Sequence, residues 1–302
     1  MRARALHADA LVVTSALLHL NCVLLRGGVE ADEPATDDPL RVVEVPAAGD
    51  EPAADDPLGV VEVPAGGGAP AAESFVVDSP VLPEEIEMLP SVLAQAGFPE
   101  PSALLATHAD WDHVLAPLAF PGIPLGCAES TAARLRAEPG EAQRELRSFD
   151  EELYLERPRP LGLGSVQALP VPGHLEIGGQ SLELHPTGGH TVDGMAILAP
   201  WAGVLIAGDH LSSIEIPMLN PGGDVATYVA TLERLRPLLS RAEHVVPGHG
   251  PVLGPERAGE ILDEDLAYLR ALAERGADAE LPERRRSAEM RKLHARNAER
   301  LG

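Results

Sequence analysis

Imidazole and carboxylate groups gather in four short segments of this 302-residue sequence. They are His108, Asp110, Asp112 and His113 in His108-Ala109-Asp110-Trp111-Asp112-His113; His190 in Gly188-Gly189-His190-Thr191; Asp209 in Ala207-Gly208-Asp209-His210; and His249 in Pro247-Gly248-His249-Gly250. Imidazole nitrogen and carboxylate oxygen together suit zinc, iron or manganese. One such histidine would mean little, because a lone loop imidazole usually just hydrogen-bonds to its surroundings. Four segments in one chain fit a single polynuclear site better, each ending a β-like run, with nearby glycines that let the backbone turn sharply. Such a site needs no side-chain nucleophile, because two cations lower the pKa of water enough to supply hydroxide at neutral pH. The chain has no G-x-S-x-G elbow, and neither Cys22 nor Cys127 carries a His/Asn signature beside it. Neither cysteine belongs to a CxxC pair, so both read as reduced, buried thiols.

The elements that must position these groups alternate between β and α, which favours a layered α/β architecture. Residues 8 to 28 read as one or two strands ended by Gly27-Gly28. The apolar stretch Leu11 to Leu25 follows Arg2 and Arg4, as a secretory leader would, but Asp9, His19 and Asn21 interrupt it, and alternation around Leu18, Leu20, Cys22 and Leu24 suits a strand better. Strands are predicted at 74–78, 104–106, 166–171, 181–185, 195–199, 203–207 and 244–246. Helices are predicted at 83–96, 129–137, 224–239, 255–275 and 283–300, with an acidic stretch around Phe149 and Tyr154 left unassigned.

Residues 32–49, DEPATDDPLRVVEVPAAG, recur almost verbatim as residues 50–67. Two copies rich in Pro and Asp cannot bury a shared core, so this tandem duplication reads as a mobile acidic insertion, with an extra hairpin or binding arm as the alternative. It supplies much of the formal net charge of −24. That charge repels phosphate backbones and anionic membranes, and an aromatic content of 3% offers no stacking platform for single strands. The expected partner is a small-molecule substrate, not nucleic acid or a membrane, with a homodimer left open. The basic cluster of Arg284, Arg285, Arg286, Arg291, Lys292, Arg296 and Arg300 reads as a solvated helix, or one packed on the acidic body or a second subunit.

The order and context of the four segments resemble the metallo-β-lactamase superfamily, whose signature is HxHxDH, then GHT, a strand-ending Asp and a late PGH. The resemblance runs from about residue 10 to 255 outside the duplication. It implies an α/β four-layer αββα sandwich with two divalent metal ions at one edge of the sheets, zinc first, with iron or manganese as alternatives. It divides the chain into N-terminal strands (1–31), the acidic insertion (32–72), the remaining metal-site domain (73–255) and C-terminal helices (256–302). Carried over residue by residue, His108 and His190 match ligands of the first metal, Asp112, His113 and His249 those of the second, and Asp209 the bridging carboxylate. Asp78 matches a residue that supports the ligand loop. Asp110 stands where the family usually has its second His; a carboxylate there hardens the first site toward iron or manganese, as in the flavodiiron branch.

The resemblance thus implies a cytoplasmic hydrolase that cleaves a thioester, ester, lactone or amide with metal-bound hydroxide, glyoxalase II being the nearest analogy. Asp112 is the candidate catalytic residue, orienting the hydroxide or carrying its proton. Thr107 and Thr191 are candidate hydrogen-bond donors to the ligands, and Trp111 is a candidate for the pocket wall or the core. His210 is a candidate substrate contact but is expected rather behind the ligands or at the surface, and Leu211 to Asn220 beside the cleft; His174, His185 and His244 belong to no motif. Two other classes remain: a mononuclear-iron oxidoreductase like a persulfide dioxygenase, and a non-catalytic metal-binding protein that uses the duplication as an arm.

Overall fold

Strands whose two faces are both apolar need cover on both sides. Cys22, Val23, Leu24 and Leu25 are all buried, although consecutive side chains point opposite ways. The computed structural model describes residues 1–28, 41–43 and 71–301. The strands are β1 (Arg2–His7), β2 (Ala10–Thr14), β3 (Asn21–Gly27), β4 (Arg41–Val43), β5 (Glu73–Val77), β6 (Ala103–Ala106), β7 (Leu125–Ala128), β8 (Val166–Leu169), β9 (Gly173–Ile177), β10 (Gln180–Pro186), β11 (Met195–Ala199), β12 (Val204–Gly208) and β13 (His244–Pro247). The helices are α1 (Pro83–Gln95), α2 (Glu129–Ala137), α3 (Glu141–Leu153), α4 (Val225–Leu239), α5 (Pro255–Arg275) and α6 (Ala288–Glu299).

One sheet has the order β1-β2-β3-β5-β6-β7-β8, the other β13-β12-β11-β10-β9-β4. Val23, Leu25, Phe75 and Leu105 of the first sheet meet Leu175, Leu184, Ile197 and Val246 of the second in a shared core. The opposite face of the first sheet, through Cys22, Leu24, Leu104 and Cys127, packs on Ile86, Leu89, Ala132 and Leu146 of α1, α2 and α3. Leu198, Leu205 and Val245 of the second sheet pack on Leu232, Leu262, Leu269 and Leu293 of α4, α5 and α6. The result is the four-layer αββα sandwich. Both cysteines are free and buried. No helix among the described residues is long and apolar enough to cross a membrane.

Strands β1, β4, β7 and β9 and helix α3 lie outside the predicted strands and helices. The acidic stretch is the amphipathic helix α3, which buries only Ala142 and Leu146, too thin an apolar stripe to stand out. Strand β9 carries His174 in GHLEI, whose alternating burial fits period 2. The C-terminal helix begins at Ala288, capped by the Ser287 side chain, because Arg285 turns inward ahead of it. Most of the 32–72 insertion lies outside the described residues; within it, β4 pairs antiparallel with β9 at the sheet edge.

Candidate metal centre

Backbone turns at the ends of β6, β12 and β13, with the loop after β10, bring all seven predicted ligands into one cleft. Asp209 stands at its middle. Its Oδ2 lies 3.3 Å from His190 Nε2 and 3.7 Å from His108 Nε2, while its Oδ1 lies 3.1 Å from His113 Nε2 and 3.5 Å from His249 Nε2. Asp110 Oδ2 adds to the first pair, 3.3 Å from His190 Nε2 and 3.6 Å from His108 Nε2. Asp112 Oδ2 adds to the second, 3.5 Å from His249 Nε2. Two clusters that share one carboxylate follow: His108, Asp110 and His190; Asp112, His113 and His249.

A metal fits this donor set. Among the described residues His108 Nε2, His113 Nε2 and Asp209 Oδ1 are buried without a hydrogen-bond partner, a costly state unless another species satisfies them. The remaining imidazole nitrogens are held from behind. His113 Nδ1 lies 2.9 Å from Asp78 Oδ2, His190 Nδ1 donates to Met218 O at 3.0 Å, and His249 Nδ1 donates to Leu18 O at 2.9 Å. Such partners aim the free nitrogen at the metal.

Electrostatics points the same way. Burial opposes charge on His249, yet the Asp209 carboxylate beside it pushes its pKa up to about 10. Burial also opposes charge on Asp209, but His249, His113 and His108 hold it well below the usual carboxylate range. The groups keep one another charged, which is the field a divalent cation completes when it displaces the protons.

The support extends past the ligands. Asp78 sits at φ 57°; its Oδ1 accepts from Thr107 N at 2.8 Å and its Oδ2 from Thr107 Oγ1 at 2.9 Å. Thr107 Oγ1 also lies 3.1 Å from His108 Nδ1, whereas Thr191 Oγ1 donates to Asp193 O. His210 is buried against Tyr228, with ring centroids 4.7 Å apart, not at the surface. Burial and then the charge of His190 press its pKa down to about 3, so it is neutral. His174, His185 and His244 lie on β9, β10 and β13, away from the cleft lining.

Several site residues carried no sequence signal. Arg134 of α2 donates to Asp110 Oδ1 at 2.8 Å and to Asp193 Oδ1 at 3.0 Å, and Asp193 in turn accepts from Ala109 N. Asn220 Nδ2 donates to Asp110 Oδ2 at 2.6 Å. Asp193 lies three residues past His190 and Asn220 ends the segment expected beside the cleft, whereas Arg134 lies near no motif. The carboxylate that replaces the expected imidazole at position 110 is therefore matched by a guanidinium from another element.

The cleft has a volume of about 760 Å³. Helix α3 turns Glu141, Glu145 and Phe149, four residues apart, toward it. Trp111 packs on Phe149 at 4.7 Å and lines the same wall, so it serves both pocket and core. Across from them, Glu215, Met218 and Asn220 come from the 211–220 segment, while its Leu219 turns into the core.

Gly248 supplies a test that touches no ligand. A Cβ there would stand 2.1 Å from Asp209 Oδ1 and 2.9 Å from His113 Cε1, so Gly248→Ala must push the central carboxylate aside. Metal affinity is expected to fall by about 10- to 100-fold with the circular dichroism of the fold retained. Wild-type affinity in a competitive chelator titration would contradict this geometry.

A family model described as the metallo-beta-lactamase superfamily matches residues 73–249. Solved structures similar to the chain include a metallo-beta-lactamase from Pontibacter korlensis, at 17% identity and a TM-score of 0.54, covering 89% of this chain and 98% of that one. DIM-1 metallo-beta-lactamase is similar at 17% identity and a TM-score of 0.51, covering 87% and 95%. TTHA1623 in a di-iron-bound form is similar at 21% identity and a TM-score of 0.50, covering 83% and 97%. No curated protein matches the chain.

Proposed function

The chain belongs to the metallo-beta-lactamase superfamily, and from that membership we propose that it is a metal-dependent hydrolase cleaving a thioester, ester, lactone or amide of a small molecule. The observation that carries this reading is Asp209, whose two oxygens each face a separate pair of imidazoles. Divalent ions held there would supply hydroxide by lowering the pKa of water and would polarise the substrate's carbonyl. His108, Asp110 and His190 would hold one ion and Asp112, His113 and His249 the other, with Asp209 within reach of both sets. Among the described residues Asp112 has no partner closer than the 3.5 Å from its Oδ2 to His249, so its other oxygen is left to orient a water and accept its proton. Glu141, Glu145 and Glu215 along the cleft work against polyanions such as phosphodiesters and favour neutral or cationic substrates.

Zinc is the first choice of metal, and iron the alternative. The hard oxygen of Asp110 and the di-iron form of one structural relative favour a second reading, an iron-dependent oxidoreductase of the same fold. Metal analysis of the purified protein beside a panel of thioesters, esters and lactones separates the two. The hydrolase reading expects two ions per chain and turnover that chelation abolishes and metal restores. Chelator-insensitive turnover, or oxygen uptake in place of hydrolysis, overturns it.

Asp110→His tests the unusual ligand. The variant puts a nitrogen donor in place of an oxygen but leaves Arg134 facing an imidazole, with Asp193 and Glu138 as its remaining carboxylate partners. It is expected to favour zinc over iron or manganese and to change kcat/KM by about tenfold or more. Unchanged metal preference and activity would remove Asp110 from the site.

A further inference from the structure

Residues 211–220 run along the cleft between Asp209 and α4, and the last four alternate their partners. Pro217 O accepts from Asn297 Nδ2 at 2.7 Å. Met218 O accepts from His190 Nδ1 at 3.0 Å. Leu219 N donates to Asn297 Oδ1 at 3.0 Å. Asn220 Nδ2 donates to Asp110 Oδ2 at 2.6 Å, and its backbone N donates to His190 O at 2.7 Å. Successive residues of an extended chain face opposite sides. Positions 217 and 219 therefore go to one residue of α6, and positions 218 and 220 to two members of the first metal cluster.

We infer that Asn297 is a positioning residue for that cluster, acting through this segment on His190 and Asp110. The inference rests on the metal-site reading above, and it concerns a residue beyond the 73–249 family match. Asn297 is fully buried, and a third bond, from Nδ2 to Tyr268 Oη at 3.1 Å, ties it to α5. Its amide presents one acceptor and two donors in one plane, so it fixes the Pro217 carbonyl relative to the Leu219 amide. That fixes the Met218 carbonyl between them. A carbonyl only accepts, so His190 must carry its proton on Nδ1 and offer Nε2 to the metal. Asn220, one residue past the clamp, is thereby set against Asp110. Two neighbouring bonds reinforce the arrangement: Arg285 Nη1 donates to Glu215 O, and Ile216 N approaches Met290 Sδ at 3.3 Å.

The experiment compares the full chain with Asn297→Ala, Asn297→Asp and Leu293→Ala, each loaded with cobalt(II). Leu293 lies on the same helix, buried in the same core, and touches none of these bonds. Asn297→Ala is expected to weaken one of two cobalt sites by about tenfold or more and to shift that site's ligand-field spectrum. Asn297→Asp keeps the acceptor for Leu219 but loses the donor to Pro217, so an intermediate loss is expected; it also provides the measurement if the alanine variant does not fold. Leu293→Ala is expected to lower the melting temperature while leaving both affinities and the spectrum in place. Wild-type cobalt binding by both Asn297 variants overturns the inference, as does an equal spectral change in Leu293→Ala, which would reduce the effect to helix packing. A wild-type chain that binds no cobalt overturns the metal-site reading itself, so the two failures are distinct.

Discussion

Asp209→Ala is expected to bring the protein from two bound ions to less than one and to lower kcat/KM by about 10³-fold or more, equivalent to ~4 kcal/mol of transition-state stabilisation. The magnitude follows from position. Among the described residues Asp209 is the one carboxylate within 3.7 Å of all four imidazoles, so both clusters lose a ligand at once. What remains is four imidazoles around a void with Asp110 and Asp112 on either side, one carboxylate per dication, so less of each ion's charge is neutralised. Asp209→Asn separates charge from shape. It preserves the volume and one oxygen, so if it retains both ions the carboxylate's charge is dispensable and bridging is not its role. Metal content by mass spectrometry under native conditions and turnover on the best substrate of the panel are the two readouts.

Arg285→Ala is expected to destabilise the fold by about 3–5 kcal/mol, read as a lower urea midpoint with an unchanged slope. The basic C-terminal cluster read as a solvated helix or one packed on the acidic body, and Arg285 takes the second course to its limit, with a side chain 1% exposed. Its Nη1 donates to Asp265 Oδ1 at 2.6 Å, to Glu215 O at 2.7 Å and to Ser212 O at 3.1 Å, and its Nη2 reaches Glu264 Oε2 at 3.1 Å. Alanine would strand a buried carboxylate and two backbone carbonyls together. Burial already lifts the Asp265 carboxyl to about 7 with Arg285 in contact. Without the guanidinium, the folded state must keep that carboxyl protonated, whereas the unfolded chain releases the proton near 4. Stability in the variant should therefore fall further as pH rises through neutrality. Adding Asp265→Leu should recover most of the loss and remove the pH dependence; a pH-independent deficit in Arg285→Ala would show that lost packing, not the stranded charge, sets the cost.

Local chemistry made a good part of this molecule legible. Helix α5 spans Pro255–Arg275, as predicted, because Pro at its first turn, apolar residues at helical spacing and Gly276 beyond its end all act within a few residues. Strand β11, Met195–Ala199, also coincides with its prediction, being a short apolar run between polar turns. The seven side chains that gather in the cleft were readable for the same reason: each lies in the loop after a strand, in a motif short enough to recognise on its own.

Other features had no such local mark. Arg134 is, by pattern, a surface residue of a helix with little apolar character. Only the docking of α2 against the β6 loop aims it at Asp110 and Asp193. Asn297 and Arg285 read as members of a polar C-terminal helix, and Glu215 and Asn220 only as part of a segment beside the cleft, with no role of their own. The sequence by itself determined which side chains can bind metal and which segments are strands and helices, since both depend on residue type and near-neighbour spacing. The tertiary structure alone decided which groups hold the ligands from behind, what faces the substrate, and that the C-terminal helix grips the loop that orients His190. Those contacts join residues far apart in the chain, for example Asp110 with Asn220 and Pro217 with Asn297. Their partners are chosen by how layers pack, a choice that leaves no periodic trace in either segment.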